Sequence, residues 1–318
     1  MAENDQILFV GNIDMGISLE IEKIPGRWEA QRATEAVYTT DGRASRQAVA
    51  AIGLGGRAAI LGRVGDDDFG RRILSDLTAR GVDTAGLSPV PGSPTGLVLL
   101  CRTPGDAAPH IISSPGANAQ FGPDYVRQNS GLFAGRAMTV VVNQMPPETV
   151  LAAVQTARRQ APGGTVILDP SPIESLPAEL LAQVDVVLPD EWDIAHLTGC
   201  GTPTMGHARL ALSRLLEQGA RAVVLKCEGG ALIATANEFI TLGECDISEA
   251  VDKNGDKDIF IAALCMALSQ RQALYPAVVY ARAAAMFSRA ARGISARLPT
   301  QRQLQNYLKK NPLFKSRG

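Results

Sequence analysis

No charge of one sign dominates this chain: 31 Lys and Arg face 32 Asp and Glu, a formal net charge of -1. That balance supplies no electrostatic drive toward nucleic acid or an anionic membrane. No apolar run reaches the length of a membrane span, and the start, MAENDQILFVGN, passes from acidic residues into a strand pattern without a basic n-region. A cytoplasmic location is the expectation. The five cysteines, at 101, 200, 227, 245 and 265, are odd in number and form no C-x-x-C pair, so they read as reduced, mostly buried thiols. Histidines 110, 196 and 207 are as scattered, which argues against a transition-metal site and leaves each as a satisfied or exposed side chain. No internal repeat or low-complexity tract interrupts the chain.

What is present is an ordinary globular composition, 46% hydrophobic and 20% charged over 318 residues. That length suits one doubly wound α/β domain, residues 1–318, with a small accessory element. Short β-rich runs recur at 7–11, 58–65, 139–144, 165–170, 184–190 and 222–227. Helical patterns lie between them, among them ASRQAVAAIGLG, GRRILSDLTARG, PETVLAAVQTARRQ, IAHLTG and HARLALSRLLEQG, several closed by Gly. Such alternation predicts parallel strands joined by crossover helices. Two segments break the rhythm, approximately 17–40 and 97–114; both alternate like strands of a small antiparallel sheet. A sheet inserted there is expected either to cover the carboxyl ends of the central strands as a lid or to be a plain edge meander.

The most informative stretch is VDKNGDKDIFIAAL, residues 251–264, where an acidic residue sits at the mouth of an apolar helix behind a glycine turn. A helix N-terminus presents unpaired N–H groups and the positive end of the dipole, and a carboxylate beside it can accept a proton from a hydroxyl. Asp258 is the candidate base. A polar turn capping the helix is the bland alternative.

This run resembles the second signature of the ribokinase or PfkB-type carbohydrate kinases, D-T-x-G-A-G-D-x-F, with Asp252, Gly255, Asp258 and Phe260 in register. The likeness extends along nearly the whole chain. GRVGDDDFGRRILSDLTARGVDT, residues 62–84, is similar to the first signature; residues 93–121 resemble the lid strands and the G-A-N turn after them; residues 168–199 resemble the strand, loop and P-N-E-x-E region. The resemblance implies a ribokinase-like α/β fold: a mostly parallel central sheet with helices on both faces and a small β lid through which a homodimer forms. It also implies ATP and Mg²⁺ as the cofactors, with the divalent ion arriving with nucleotide.

Carried over residue by residue, the resemblance also marks departures. The substrate-gripping Asp of the family falls on Gly16, with Asp14 where Asn is common, and the G-G-x-x-x-N substrate motif reads Asp41, Gly42, Arg43, Ala44, Ser45, Arg46. Gln144 stands at the place of a substrate-side Glu. The metal-organising N-x-x-E becomes Asp190 and Asp193, and the phosphate-flanking T-L-G-x-x-G segment carries Lys226 at the Thr position, followed by Gly230. Asp256 and Lys257 replace the small residues of the anion hole, and Lys253 replaces the Thr beside Asp252, where its ammonium either takes the place of a monovalent cation or is solvated. The expectation is ATP-dependent phosphoryl transfer to a hydroxyl of a sugar or nucleoside-like small molecule. Asp258 is the base, Gly255, the helix amides and Lys257 stabilise charge, Asp190 and Asp193 organise Mg²⁺, and Arg46 re-tunes the pocket toward anionic ligands. The rival expectation is a catalytically degenerate homologue that binds a ligand or regulates, and a third is a purely structural interaction module.

Overall fold

Neighbouring residues of the first strand are buried on opposite faces, because Ile7 and Phe9 pack into one apolar core while Leu8 and Val10 pack into another. A strand buried on both sides belongs in the middle of a sheet with helices on both faces. The computed structural model describes residues 6–105, 109–171, 173, 176–199, 204–227, 230–243, 255–289 and 299–311. In chain order the elements begin β1 (Gln6–Val10), β2 (Asp14–Glu20), β3 (Glu35–Asp41), α1 (Arg43–Gly53), β4 (Arg57–Gly65), α2 (Asp68–Ala79), β5 (Asp83–Val90), β6 (Gly96–Arg102) and β7 (His110–Ser114). They continue with α3 (Pro123–Gln128), β8 (Met138–Val142), α4 (Pro147–Gln160), β9 (Thr165–Asp169), α5 (Ala178–Leu181), β10 (Val186–Val187), α6 (Glu191–Thr198) and α7 (Met205–Glu217). The last are β11 (Ala222–Cys227), β12 (Gly230–Thr235), β13 (Phe239–Leu242), α8 (Asp256–Ser269), α9 (Leu274–Arg289) and α10 (Gln301–Lys310).

The main sheet has nine strands in the order β13-β12-β11-β10-β9-β8-β1-β4-β5, parallel from β11 through β5 and antiparallel at the β11–β12–β13 edge. The order reverses direction at β1, between β8 and β4, so the carboxyl ends of β1, β8 and β9 flank a topological switch point, where ligands bind in this architecture. Three strands, β5, β12 and β13, were not among the predicted runs. Among the helices, α4 spans the predicted PETVLAAVQTARRQ. Gly199 closes α6 in the left-handed conformation, as the Gly-capping pattern requires.

The second sheet has four strands, β3-β2-β6-β7, and its members fall in the two segments that break the βα rhythm. It is mixed, not antiparallel throughout: β2 pairs with β3 antiparallel and with β6 in parallel over Asp14–Glu20 and Gly96–Arg102. The parallel pairing follows from both strands leaving the main sheet in the same direction, a long-range fact that local alternation does not carry. Residues of β6 and β7 (Val98, Leu100, Ile111, Ser113) form one wall of a cleft that Asn12, Asp14 and Asn143 also line, so the small sheet stands over the switch point. Helix α8 is buried on all sides along nearly its whole length, packed against α1 and α9. Its first three residues, Asp256, Lys257 and Asp258, are charged and buried, so each requires a compensating partner. Among the described residues, no helix is long and apolar enough to cross a membrane.

Candidate functional site

The cleft beneath the small sheet has a volume of about 520 Å³, and Asp14, Gly42, Arg46 and Gln144, all four expected substrate-side residues, line it. Asp14 opens β2, Gly42 precedes α1, Arg46 lies on the first turn of α1 and Gln144 follows β8. Gly42 has φ 92, and a Cβ there would meet the Asn12 carbonyl oxygen at 2.5 Å, so the turn into α1 admits only glycine without rearrangement.

Asn118, from the G-A-N turn, fixes this floor. Its amide oxygen accepts from the Ile13 N–H at 2.9 Å, while its amide nitrogen donates to the Ile13 carbonyl at 3.0 Å and to Asp14 Oδ1 at 2.7 Å. Asn12 Nδ2 donates to Asp14 Oδ2 at 2.6 Å. Burial first, and then the charge of Asp41, push the Asp14 carboxyl up to about 6.

Three departures at the substrate end prove to be linked. A Cβ on Gly16 would lie 2.7 Å from Asp41 Oδ2, so the carboxylate of Asp41 fills the volume that a side chain at 16 would need. An acid on β3 thus occupies the space beside position 16 of its antiparallel neighbour β2. Asp41 Oδ1 accepts from the Gly42 N–H at 2.7 Å and from Arg46 Nη1, which neutralises it. Asp41 Oδ2 is buried and has no hydrogen-bond partner among the described residues, and the same holds for Asn12 Oδ1. Both residues line the cleft. Asn12 and Asn118 were thus missing from the expected site; Asp41 stood out only as the acid where the family motif opens on glycine, and its direction was not legible.

Arg46 faces both ways. Its Nε donates to Asp258 Oδ2 at 2.6 Å, and Gln47 Nε2 donates to Asp258 Oδ1 at 3.1 Å. Asp258 opens onto a smaller cavity of about 240 Å³ that it shares with Gly255, while Arg46 lines both that cavity and the main cleft. The guanidinium therefore stands as a partition between the cleft and the expected base. Burial opposes the charge on Arg46, but Asp258 foremost and then Asp41 hold its pKa above the ordinary arginine value. Arg46 was expected to meet an anionic ligand; in the structure two carboxylates, Asp41 and Asp258, engage it.

The remaining first-turn residues of α8 are paired as well. Asp256 Oδ1 lies 2.9 Å from Lys226 Nζ, which explains two departures as one exchange. Lys257 Nζ lies 2.9 Å from Asp169 Oδ1 and 3.4 Å from both Asp190 Oδ2 and Asp193 Oδ2, and it donates to Ser171 Oγ. Burial would push the Lys257 ammonium down, but Asp169, then Asp190 and Asp193, outweigh it and hold the group above the usual lysine range. Its charge in turn holds Asp190 well below the usual carboxylate range against the opposing effect of burial. Lys257, expected to stabilise the transferred group, turns its side chain into an acidic pocket. Gly255 has φ 94 at the N-cap of α8 and supplies no side-chain cap. The backbone N–H groups of the first turn thus have no acceptor inside the helix.

Asp190 and Asp193, expected around Mg²⁺, form a capping box at the start of α6. Asp193 accepts from the backbone N–H groups of Asp190 at 2.9 Å and Ile173 at 3.1 Å and from the Ser171 hydroxyl. Its Oδ2 atom is crowded with donors, and Oδ1 accepts one. Among the described residues no group of three or more His, Cys, Asp or Glu is arranged to hold a metal ion. Asp169, unremarked in the sequence, ends β9 at the switch point and receives Arg43 Nη1 at 3.2 Å and Gln47 Nε2 at 3.0 Å. An acid closing a parallel strand was the signal that could have found it. Gly230 begins β12 opposite Cys227, beside Lys226. Asp252 and Lys253 lie outside the described residues, and with them the expected monovalent-cation substitution.

A parallel sheet with helices on both faces, a lidded cleft at its switch point and a buried acid on the first turn of an apolar helix place the chain among the α/β proteins whose ligands bind at that point. The family model described as pfkB family carbohydrate kinase matches residues 4–301, and the chain belongs to that family. It is 26% identical over 299 residues to a ribokinase of Haemophilus influenzae, covering 93% of this chain and 95% of that one. It superposes on the ribokinase structure from Thermotoga maritima with a TM-score of 0.83 at 26% identity, covering 95% and 99% of the two chains. On the Arabidopsis thaliana ribokinase complexed with ribose and ATP the TM-score is 0.85 at 24% identity, covering 97% and 99%. The fold is ribokinase-like.

Proposed function

We propose that this chain transfers a phosphoryl group from ATP to a hydroxyl of a sugar or nucleoside-like molecule bound in the cleft. The observation that supports a polyhydroxylated ligand is a pair of buried acceptors in residues that line the cleft, Asp41 Oδ2 and Asn12 Oδ1, which have no donor among the described residues. A buried acceptor left unmatched is costly, and ligand hydroxyls are donors of the right kind. ATP as phosphoryl donor comes from family membership and from the bound nucleotide of the Arabidopsis ribokinase.

In this reading Asp258 takes the proton of the attacking hydroxyl as the new oxygen–phosphorus bond forms and the bond to the ADP leaving group breaks. The positive end of the α8 dipole, at the first turn, offsets the charge on the transferred group. Arg46 has to yield one of its contacts for a hydroxyl in the cleft to reach Asp258. No step is routed through a divalent ion, because the carboxylates expected to hold one are engaged by Lys257 and by the α6 cap.

A second reading, ligand binding without transfer, is favoured by one observation: both oxygens of Asp258 accept from side chains, and Arg46 separates it from the cleft. Calorimetry with ribose and related sugars, with and without ATP, combined with phosphorus NMR of the products, distinguishes the two. Phosphorylated sugar that falls by ~10² or more in Asp258→Asn, with sugar affinity retained, supports the kinase. Sugar binding with no product in the wild type would leave the second reading standing.

A further inference from the structure

The acidic pocket around Lys257 disagrees with the metal chemistry expected of it. Asp169 and Asp193 are fully buried, Asp190 borders them, and the ammonium of Lys257 lies within 3.4 Å of an oxygen of each. Ser171 extends the contact, accepting from Lys257 and donating to Asp193. A hydrated divalent ion needs carboxylate oxygens at about 2.0–2.1 Å with lone pairs to spare. Here one oxygen of each carboxylate faces the same ammonium, so an ion among them would share its space and its charge with Lys257. Cations that close repel strongly in a buried setting, and the lysine is tethered to α8.

The other first-turn residues reinforce this placement. Asp256 is held by Lys226, and Asp258 by Arg46 and Gln47, so α8 starts with three side chains anchored to three different elements. Gln47 Nε2 donates to both Asp169 and Asp258, which ties the Lys257 pocket to the Arg46 pair. Lys257 cannot leave its pocket without exposing three carboxylates to one another, with Arg43 as the remaining cation on Asp169.

We propose that Lys257 is a resident cation that takes the place of the divalent ion in the pocket formed by Asp169, Asp190 and Asp193. The consequence is a pocket that holds no Mg²⁺ or Mn²⁺, its acids balanced by an ammonium fixed to α8. This stands on the ion pairs and does not require phosphoryl transfer, so it survives or fails separately from the kinase reading.

The test is metal binding to the full chain without nucleotide, by electron paramagnetic resonance of Mn²⁺ and by thermal unfolding. The wild type is expected to show no Mn²⁺ site sensitive to Asp190→Asn, and no rise in Tm with millimolar Mn²⁺. Lys257→Ala uncovers three carboxylates and is expected to bind one Mn²⁺ roughly tenfold or more tighter than wild type, with a Tm that rises on adding the ion. Should that variant fail to fold, Lys257→Gln keeps a hydrogen-bonding side chain in the pocket while removing the charge, and the same gain is expected. Wild-type Mn²⁺ binding abolished by Asp190→Asn would overturn the proposal, and so would a folded Lys257 variant that gains no metal.

Discussion

The cleft under the small sheet and the first turn of α8 adjoin at Arg46, yet they differ in how far their charged groups are paired, although Gln47 Oε1 beside the turn also has no hydrogen-bond partner among the described residues. On the cleft side Asp41 Oδ2 and Asn12 Oδ1 have no donor among the described residues, and the Asp14 carboxyl is pushed up to about 6. On the α8 side Asp256, Lys257 and Asp258 all sit in ion pairs with side chains of other elements. Unmatched buried acceptors are tolerated where a ligand supplies the donors, whereas matched ones leave little for a ligand to satisfy. The cleft is therefore built to receive, and the turn is built to hold itself. Changes that unpair the second region should cost stability, and changes that refill the first should cost ligand.

Arg46 gives the largest expected effect because it serves both regions. Arg46→Met leaves Asp41 and Asp258 buried with reduced or no charge compensation, and breaking such a pair costs roughly 3–5 kcal/mol. Urea unfolding measures it. Arg43→Met should cost distinctly less, since Asp169 retains Lys257 and Gln47 as partners. Equal losses in the two variants would break the contrast between a shared guanidinium and a redundant one.

Asp14 comes next, and its pH dependence has a definite sign. Its carboxyl moves from 3.8 to about 6 on folding, so between those values the folded state holds a proton that the unfolded state has released. Stability on this account falls as pH rises through the window and stays low above it. The span corresponds to roughly 3 kcal/mol as an upper figure. Asp14→Asn should flatten this slope and be more stable than wild type above the window. Its new amide N–H can be accepted by Asn12 Oδ1 once Asn12 turns over. Thermal unfolding of both proteins between about pH 4 and 7 checks it, because the difference isolates this one group from the rest; parallel curves would refute the assignment.

How far these regions could be read in advance differs in an instructive way. The alternation of β1, β4, β8, β9 and β11 with helices was legible because strands buried on both faces appear as unbroken apolar runs. Edge strand β5, with Gly86 and Pro89 inside it, and the β12–β13 hairpin lacked that signature. At the site, the positions that depart from the family pattern were legible one at a time. Their pairing was not, since Lys226 and Asp256, Lys257 and Asp169, and Arg46 and Asp258 meet only through the fold. Read singly, Lys257 pointed to a phosphate and Arg46 to an anionic substrate. Read together, each cation answers an acid introduced or retained nearby.

The smallest expected effect is the most specific, because it concerns where one carboxylate is attached. If Asp41 has taken over the place of an acid at 16, the two positions should compensate. Gly16→Asp alone is expected to fail, since even its Cβ would lie 2.7 Å from Asp41 Oδ2. Asp41→Gly alone removes the acceptor from the cleft and should weaken sugar binding by roughly 1.5 kcal/mol, about tenfold, the usual size of a lost hydrogen bond to a charged group. The double variant returns the acid to β2 and opens the volume at 41, so its affinity should recover most of that loss, giving a coupling well above the few tenths expected of independent sites. Calorimetry on the four proteins reads it directly. Additive losses would mean that Asp41 serves only to pair Arg46, and that the hydroxyl grip of the cleft rests on Asp14, Asn12 and Asn118 instead.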